Sequence, residues 1–137
     1  MDFVAIVKRD CETCQMVIPA LAEVAKNHEL TIYSQDDSAF PELLGGGVDD
    51  SELEVSWRNS IEIVPTLICL ENDAETGRTD GWVRSEWREL TGIGELGSDL
   101  PIHRPGCGSR SLDPGMPEKL ALKYGSLVLQ SRGIEVI

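Results

Sequence analysis

The chain has 137 residues, 41 % hydrophobic and 26 % charged, which is enough apolar material for one modest core. Asp and Glu total 24 against 12 Lys and Arg, and the formal net charge of -12 argues against a nucleic-acid partner or a basic membrane-surface role. No apolar run approaches the ~20 residues of a membrane span. The opening Met-Asp-Phe-Val-Ala-Ile-Val-Lys-Arg-Asp has its bases after the apolar stretch, unlike a secretory signal, so a soluble, cytoplasmic protein is expected.

In chain order, Phe3 to Val7 reads as a buried strand with β-branched content. From Glu12 to about His28, Val17, Leu21, Val24 and Ala25 recur at helical spacing, and Pro19 predicts a kink. Leu30 to Tyr33 is a second strand, so the first two strands form a βαβ unit and run parallel. Residues 35–50, centred on Gly45-Gly46-Gly47, read as a mobile loop. Ser51 and Glu54 fit a capping box ahead of a helix carrying Leu53, Trp57 and Ile61, against a competing strand-like alternation of Leu53, Val55 and Trp57. Thr66 to Leu70 is the third strand, Glu71 to Gly77 a hairpin turn, and Thr79 to Val83 the fourth, antiparallel strand. Ser85 then caps a short helix through Leu90.

Residues 92–117 hold six glycines and four prolines, a composition that excludes a regular interior element. Glu118 to Tyr124 offers a last helix, with Pro117 before it and Gly125 after it. Leu127-Val-Leu and Ile134-Glu-Val-Ile137 read as terminal strands.

Cys11, Cys14, Cys69 and Cys107 are too few and too unevenly placed for a stapled extracellular mini-protein. Cys11 and Cys14 stand two residues apart, a spacing that points to redox chemistry or a metal. Cys11 is expected at an exposed helix tip, where free amides favour a thiolate, with Cys14 one turn below it. In that arrangement Cys11 attacks a disulfide and Cys14 releases the mixed disulfide. Lys8 and Arg9 would lower the Cys11 pKa while Asp10 and Glu12 would raise it, predicting a thiol less acidic than in strongly oxidising dithiols and a couple that leans towards reduction. Cys69 reads as a small buried hydrophobe and Cys107, between two glycines, as a surface thiol or a third redox cysteine.

These motifs resemble the thioredoxin family over residues 1–92. Cys11-Glu-Thr-Cys14 follows a strand and opens a helix, Pro19 stands five residues later, Val64-Pro65-Thr66 precedes the third strand, and Gly81 comes sixteen residues after Pro65. The resemblance implies an α/β fold: a three-layer α/β/α sandwich on a central four-stranded mixed sheet, followed by a Pro/Gly-rich C-terminal extension over 93–137. It further implies a cis Val64–Pro65 bond and a substrate groove built from Val64, Pro65, Thr66, Gly81 and Trp82. The activity implied is protein-disulfide reduction by Cys11 and Cys14, without a cofactor, on protein disulfides and with an electron donor as partners. Asp10 stands where the family has Trp, Glu12-Thr13 where it has Gly-Pro, and Ala5 where it has a buried acid; the family's N-terminal strand and helix are missing. The extension is expected to wrap the domain, pair with a second copy or dock a partner. Two alternatives stand beside this reading: a redox-sensing or adaptor domain, and a structural zinc site at Cys11, Cys14, His103 and Cys107.

Overall fold

The computed structural model describes residues 1–126, so the two terminal strands expected beyond Leu127 lie outside the described residues. The sheet grows from the run Asp2–Val7 (β1). Phe3 to Val7 are all buried, so both faces of this strand are covered. The helical periodicity that follows divides in two: Glu12–Met16 (α1) and Ile18–Asn27 (α2). Pro19 is the second residue of α2 and has no N–H for the preceding turn, which places the break at Val17. Glu29–Ser34 (β2) then pairs parallel with β1 along its whole length.

Residues 35–50, expected as a mobile loop, are built in. They contain a 3-10 turn at Glu42–Leu44 and a short strand Val48–Asp49 (β3) that pairs parallel with Tyr33 and Ser34. The sheet therefore has five strands where four are expected. Arg9 holds this segment, donating to Asp37 at 2.7 Å and pairing with Glu42, while its backbone N–H reaches Asp36 at 2.7 Å. Phe40 is buried under the Arg9 guanidinium, and the Phe40–Pro41 bond is cis.

The helix Glu54–Arg58 (α3) starts without help from Ser51, contrary to the expected capping box. Leu53, in the left-handed region at φ 64°, occupies the cap position, and Asp50 accepts from the N–H groups of Val55 and Ser56 at 3.0 and 2.9 Å. Asp50 is buried and also accepts the Ser56 hydroxyl at 2.6 Å; burial holds its pKa above the ordinary carboxylate value against those bonds.

After the two-residue strand Ile63–Val64 (β4), Thr66–Glu71 (β5) runs antiparallel to β1, and Ala74–Asp80 (β6) runs antiparallel to β5. The hairpin is tighter than the expected Glu71-to-Gly77 turn. Asn72 and Asp73 both take positive φ, as a two-residue turn with the sheet's own twist requires, so the fourth strand begins at Ala74. The strand order is β3-β2-β1-β5-β6. Trp82–Val83 (β7) leads into Arg84–Thr91 (α4), which has no side-chain cap, so Ser85 lies inside the first turn instead of starting it. The α2 and α4 helices end together where His28 Nε2 meets the Thr91 carbonyl at 2.8 Å. Helix Met116–Tyr124 (α5) packs on α3, with Leu53, Trp57 and Leu120 forming a smaller cluster beside the main core. With β3 added at the sheet edge, the sequence β1, α1 with α2, β2, α3, β5, β6 and α4 on a mixed sheet follows the thioredoxin-like order.

Residues 92–115 form no regular interior element, as their composition suggests, but two short pairings and a 3-10 turn at Arg110–Leu112 tie them to the domain. His103–Arg104 (β8) pairs antiparallel with β7, and Cys107–Gly108 (β9) pairs antiparallel with β4. Strands of two residues need little regular sequence; their partners supply the geometry.

Candidate active site

The end of β1 turns at Lys8 to Asp10, and the Asp10 N–H donates to Asp36 at 3.0 Å, fixing where α1 begins. Cys11 is the N-cap of α1, with extended backbone at φ -162°, and its Sγ accepts the N–H of Cys14 at 3.1 Å. That is a capping bond made by sulfur where a serine oxygen commonly stands. Cys14 is fully buried one turn on. Cys11 is 4 % exposed, so the exposed tip expected from the sequence is absent. The reason lies across from it: β9 runs over the dithiol and places Cys107 opposite Val64.

The Cys11 pKa falls from 9.0 to about 6. The Cys14 thiol is the strongest cause; Cys107 and the N–H groups of Cys14 and Thr13 add to it, and burial opposes them. Burial, followed by the negative neighbour Cys11, pushes Cys14 far up, and the same two causes raise Cys107. The balance of charged neighbours expected from the sequence is therefore replaced by thiol and amide donors. Lys8 is engaged elsewhere, donating to the Gly108 carbonyl at 2.8 Å, and Arg9 is held by Asp37 and Glu42.

These shifts have a definite pH signature. Alkylation of Cys11 should rise through an inflection near pH 6, and Cys107→Ala should move that inflection upward by removing one stabilising donor. Rates with iodoacetamide from pH 4 to 9 check this; an inflection staying above pH 8 would exclude the activated thiolate. Because the folded value lies below the unfolded 9.0, the folded chain binds fewer protons between pH 6 and 9 and gains stability as pH rises there. That contribution disappears as pH falls through 6. Above pH 9, the raised Cys14 works in the opposite direction.

The other residues singled out from the sequence divide. Val64 is at the site: its carbonyl faces the Cys11 thiol at 3.7 Å, and its bond to Pro65 is cis. Thr66 is buried and turns its hydroxyl back to the Ile63 carbonyl at 2.6 Å. Gly81, at φ 64°, donates to the Pro65 carbonyl at 2.8 Å, but a side chain there would meet the backbone N of Gly106 at 3.0 Å. The face expected to be an open groove is thus covered by the chain's own residues 104–108. Trp82 does not flank a groove. It is fully buried, packs edge-on against Trp87 at 4.9 Å and donates to the Pro101 carbonyl at 2.6 Å.

The zinc alternative is corrected as well. His103 is exposed on β8, paired with Val83, and among the described residues no three His, Cys, Asp or Glu side chains are arranged to hold a metal ion. Cys69 is buried in β5, as expected.

Three residues near the dithiol have a structural role that local sequence does not show, contact with residues 104–108. Lys8 anchors β9; Thr13 Oγ1 donates to the Pro105 carbonyl at 2.7 Å; Glu12 pairs with Arg104 at 3.3 Å. The unusual Glu12-Thr13 pair between the cysteines is the signal for two of them; Lys8 has none.

Among the described residues, no helix is long and apolar enough to cross a membrane. No family model matches the chain, and a search of curated proteins finds no match. Among solved structures, the chain is similar to thioredoxin 1 from the thermophilic eubacterium Thermosipho africanus TCF52B, with a TM-score of 0.46 and 20 % identity over 66 % of this chain and 89 % of that one.

Proposed function

We propose that this chain is a thiol–disulfide oxidoreductase in which Cys11 attacks a substrate disulfide and Cys14 resolves the mixed disulfide. The observation that carries this reading is the asymmetry of the pair: Cys11 holds its sulfur against the Cys14 N–H with its pKa near 6, while Cys14 is fully buried and kept protonated. A nucleophile ionised at neutral pH, with a second thiol one turn behind it, is what a two-step exchange needs. Cys14 loses its proton as it attacks Cys11 Sγ, and the substrate sulfur leaves with the electron pair. Protein disulfides are the substrate class, a reducing partner supplies the electrons, and a reducing compartment such as the cytoplasm suits a dithiol used this way.

The test is a redox titration in dithiothreitol buffers, read by mass after alkylation. A two-electron transition is expected between about -270 and -200 mV, less reducing than thioredoxin because a thiol near pH 6 stabilises the reduced state more than one near 7. Cys11→Ser should abolish it, and so should Cys14→Ser combined with Cys107→Ala. A dithiol that never closes between Cys11 and Cys14 excludes the mechanism.

The covered groove favours a second reading, a redox-sensing or adaptor domain, because a 4 % exposed Cys11 beneath residues 104–108 admits no large substrate while the cover is seated. Turnover of insulin disulfides separates the two: catalytic rates support the oxidoreductase, stoichiometric oxidation alone the sensor.

A further inference from the structure

We propose that residues 103–108 are a built-in substrate strand that caps the dithiol, and that Cys107 is a third redox cysteine exchanging with Cys11 within the same chain. This inference rests on the Cys11–Cys14 exchange argued above.

The segment lies on the site as a bound peptide would. It adds antiparallel backbone pairing to β7 at its start and to β4 at its end, the mode by which extended peptides dock on strand edges. The register sets Cys107 directly opposite Val64, whose carbonyl also faces the Cys11 thiol at 3.7 Å. Three side chains from the dithiol segment hold it: Lys8 on the Gly108 carbonyl, Thr13 on the Pro105 carbonyl and Glu12 on Arg104. Both residues between the cysteines are therefore committed to the strap.

The close approach is written into Gly106. A Cβ there would stand 2.4 Å from the Val64 oxygen and 2.6 Å from Ile63 Cγ2, a backbone contact no side chain can make without lifting the segment. A shallow depression lined by Asp10, Gln15 and Arg104 leaves Cys11 and Cys107 reachable by a small thiol or disulfide even with the strap seated.

The exchange balances without an added oxidant once the Cys11–Cys14 disulfide exists. Cys107 gives its proton to solvent, and its sulfur attacks Cys11 Sγ. The Cys11–Cys14 bond breaks, and Cys14 keeps the electron pair and takes up a proton. One disulfide is exchanged for another, and the new bond fastens the strap over Val64 and Gly81. The reverse attack by Cys14 frees Cys107, and the strap can then yield its place to a substrate strand.

The test uses the full chain oxidised with glutathione disulfide, quenched by alkylation and mapped by peptide mass. Cys14→Ser should give a Cys11–Cys107 cross-link at least ten times more abundant than glutathione on Cys11. Adding Cys107→Ala should reverse that ratio, and so should oxidation in denaturant. Gly106→Ala in the Cys14→Ser chain should cut the cross-link and raise Cys11 alkylation about tenfold, without touching any sulfur. Glutathionylated Cys11 with no link to Cys107 in Cys14→Ser overturns the inference. Cys107→Ala alone keeps the two readings apart: if it still closes Cys11 to Cys14, the exchange reading stands whatever the cross-link shows. If it does not, the exchange reading falls and this inference with it.

Discussion

Gln35→Leu is expected to destabilise the chain by about 2–4 kcal/mol. Gln35 is fully buried just past the end of β2, and its side chain joins three parts of the molecule. Its Nε2 donates to Ser56 Oγ at 2.9 Å and to Ser109 Oγ at 2.8 Å, and its Oε1 accepts the Arg110 N–H at 3.0 Å. The Gln35 carbonyl also accepts from the Arg110 guanidinium. Leucine is similar in size but leaves the Arg110 N–H without its acceptor and removes a donor from each serine. The serines keep some compensation: Ser56 still donates to Asp50, and Ser109 still meets Ser111. The loss is therefore dominated by one orphaned backbone donor plus weakened hydroxyls, which sets the estimate. Urea unfolding at constant slope measures it. A loss below about 0.5 kcal/mol, the usual range for a surface substitution, would mean that this network does not fasten the extension to the domain.

Cys11→Ser is expected to lower the rate of disulfide exchange by about 10³-fold or more, because a hydroxyl at neutral pH is not a nucleophile and the remaining thiols, Cys14 and Cys107, are both held protonated. Cys14→Ser should behave differently. Its hydroxyl can still donate towards Cys11, so the first attack on a model disulfide survives while release does not. In that variant Cys107 competes as resolver, so a mixed disulfide with substrate should accumulate only when Cys107→Ala is added. Stopped-flow kinetics with a disulfide peptide, followed by mass measurement of the adduct, distinguishes the steps. Equal loss in Cys11→Ser and in the Cys14→Ser, Cys107→Ala chain, with no adduct in either, would remove the assigned division of labour.

The legible parts of this protein are those written in local sequence. The β1 run, the Cys11–Cys14 spacing, the helix broken near Pro19 and the strand after Pro65 all depend on neighbours within one or two turns, and each was found near its expected place. Parts that depend on distant partners are not legible in local sequence. Gln35 stands at the head of a polar, glycine-rich segment and looks solvated; only Ser56, Ser109 and Arg110, all far along the chain, turn it into a buried junction. Ser51 satisfied a local capping pattern, but Asp50 reached the free amides of α3 first because β3 holds it in position. Trp82 follows Gly81 and so suggested a groove wall, yet the carbonyl of Pro101 drew its indole inward.

Sequence alone determined the chemistry available to this chain: a dithiol of Cys11 and Cys14 at a strand-to-helix turn, with Val64-Pro65 ahead of the next strand. Tertiary structure decided the state of that chemistry. A two-residue strand has no periodicity to read, so the pairing of Cys107–Gly108 with Ile63–Val64 was invisible until the chain was folded. The same pairing buries Cys11 and brings a third sulfur to it. It also gives Glu12 and Thr13 a purpose that their local context does not contain, because a hydrogen bond to Pro105 and an ion pair with Arg104 span more than ninety residues of chain and exist only where the fold closes them.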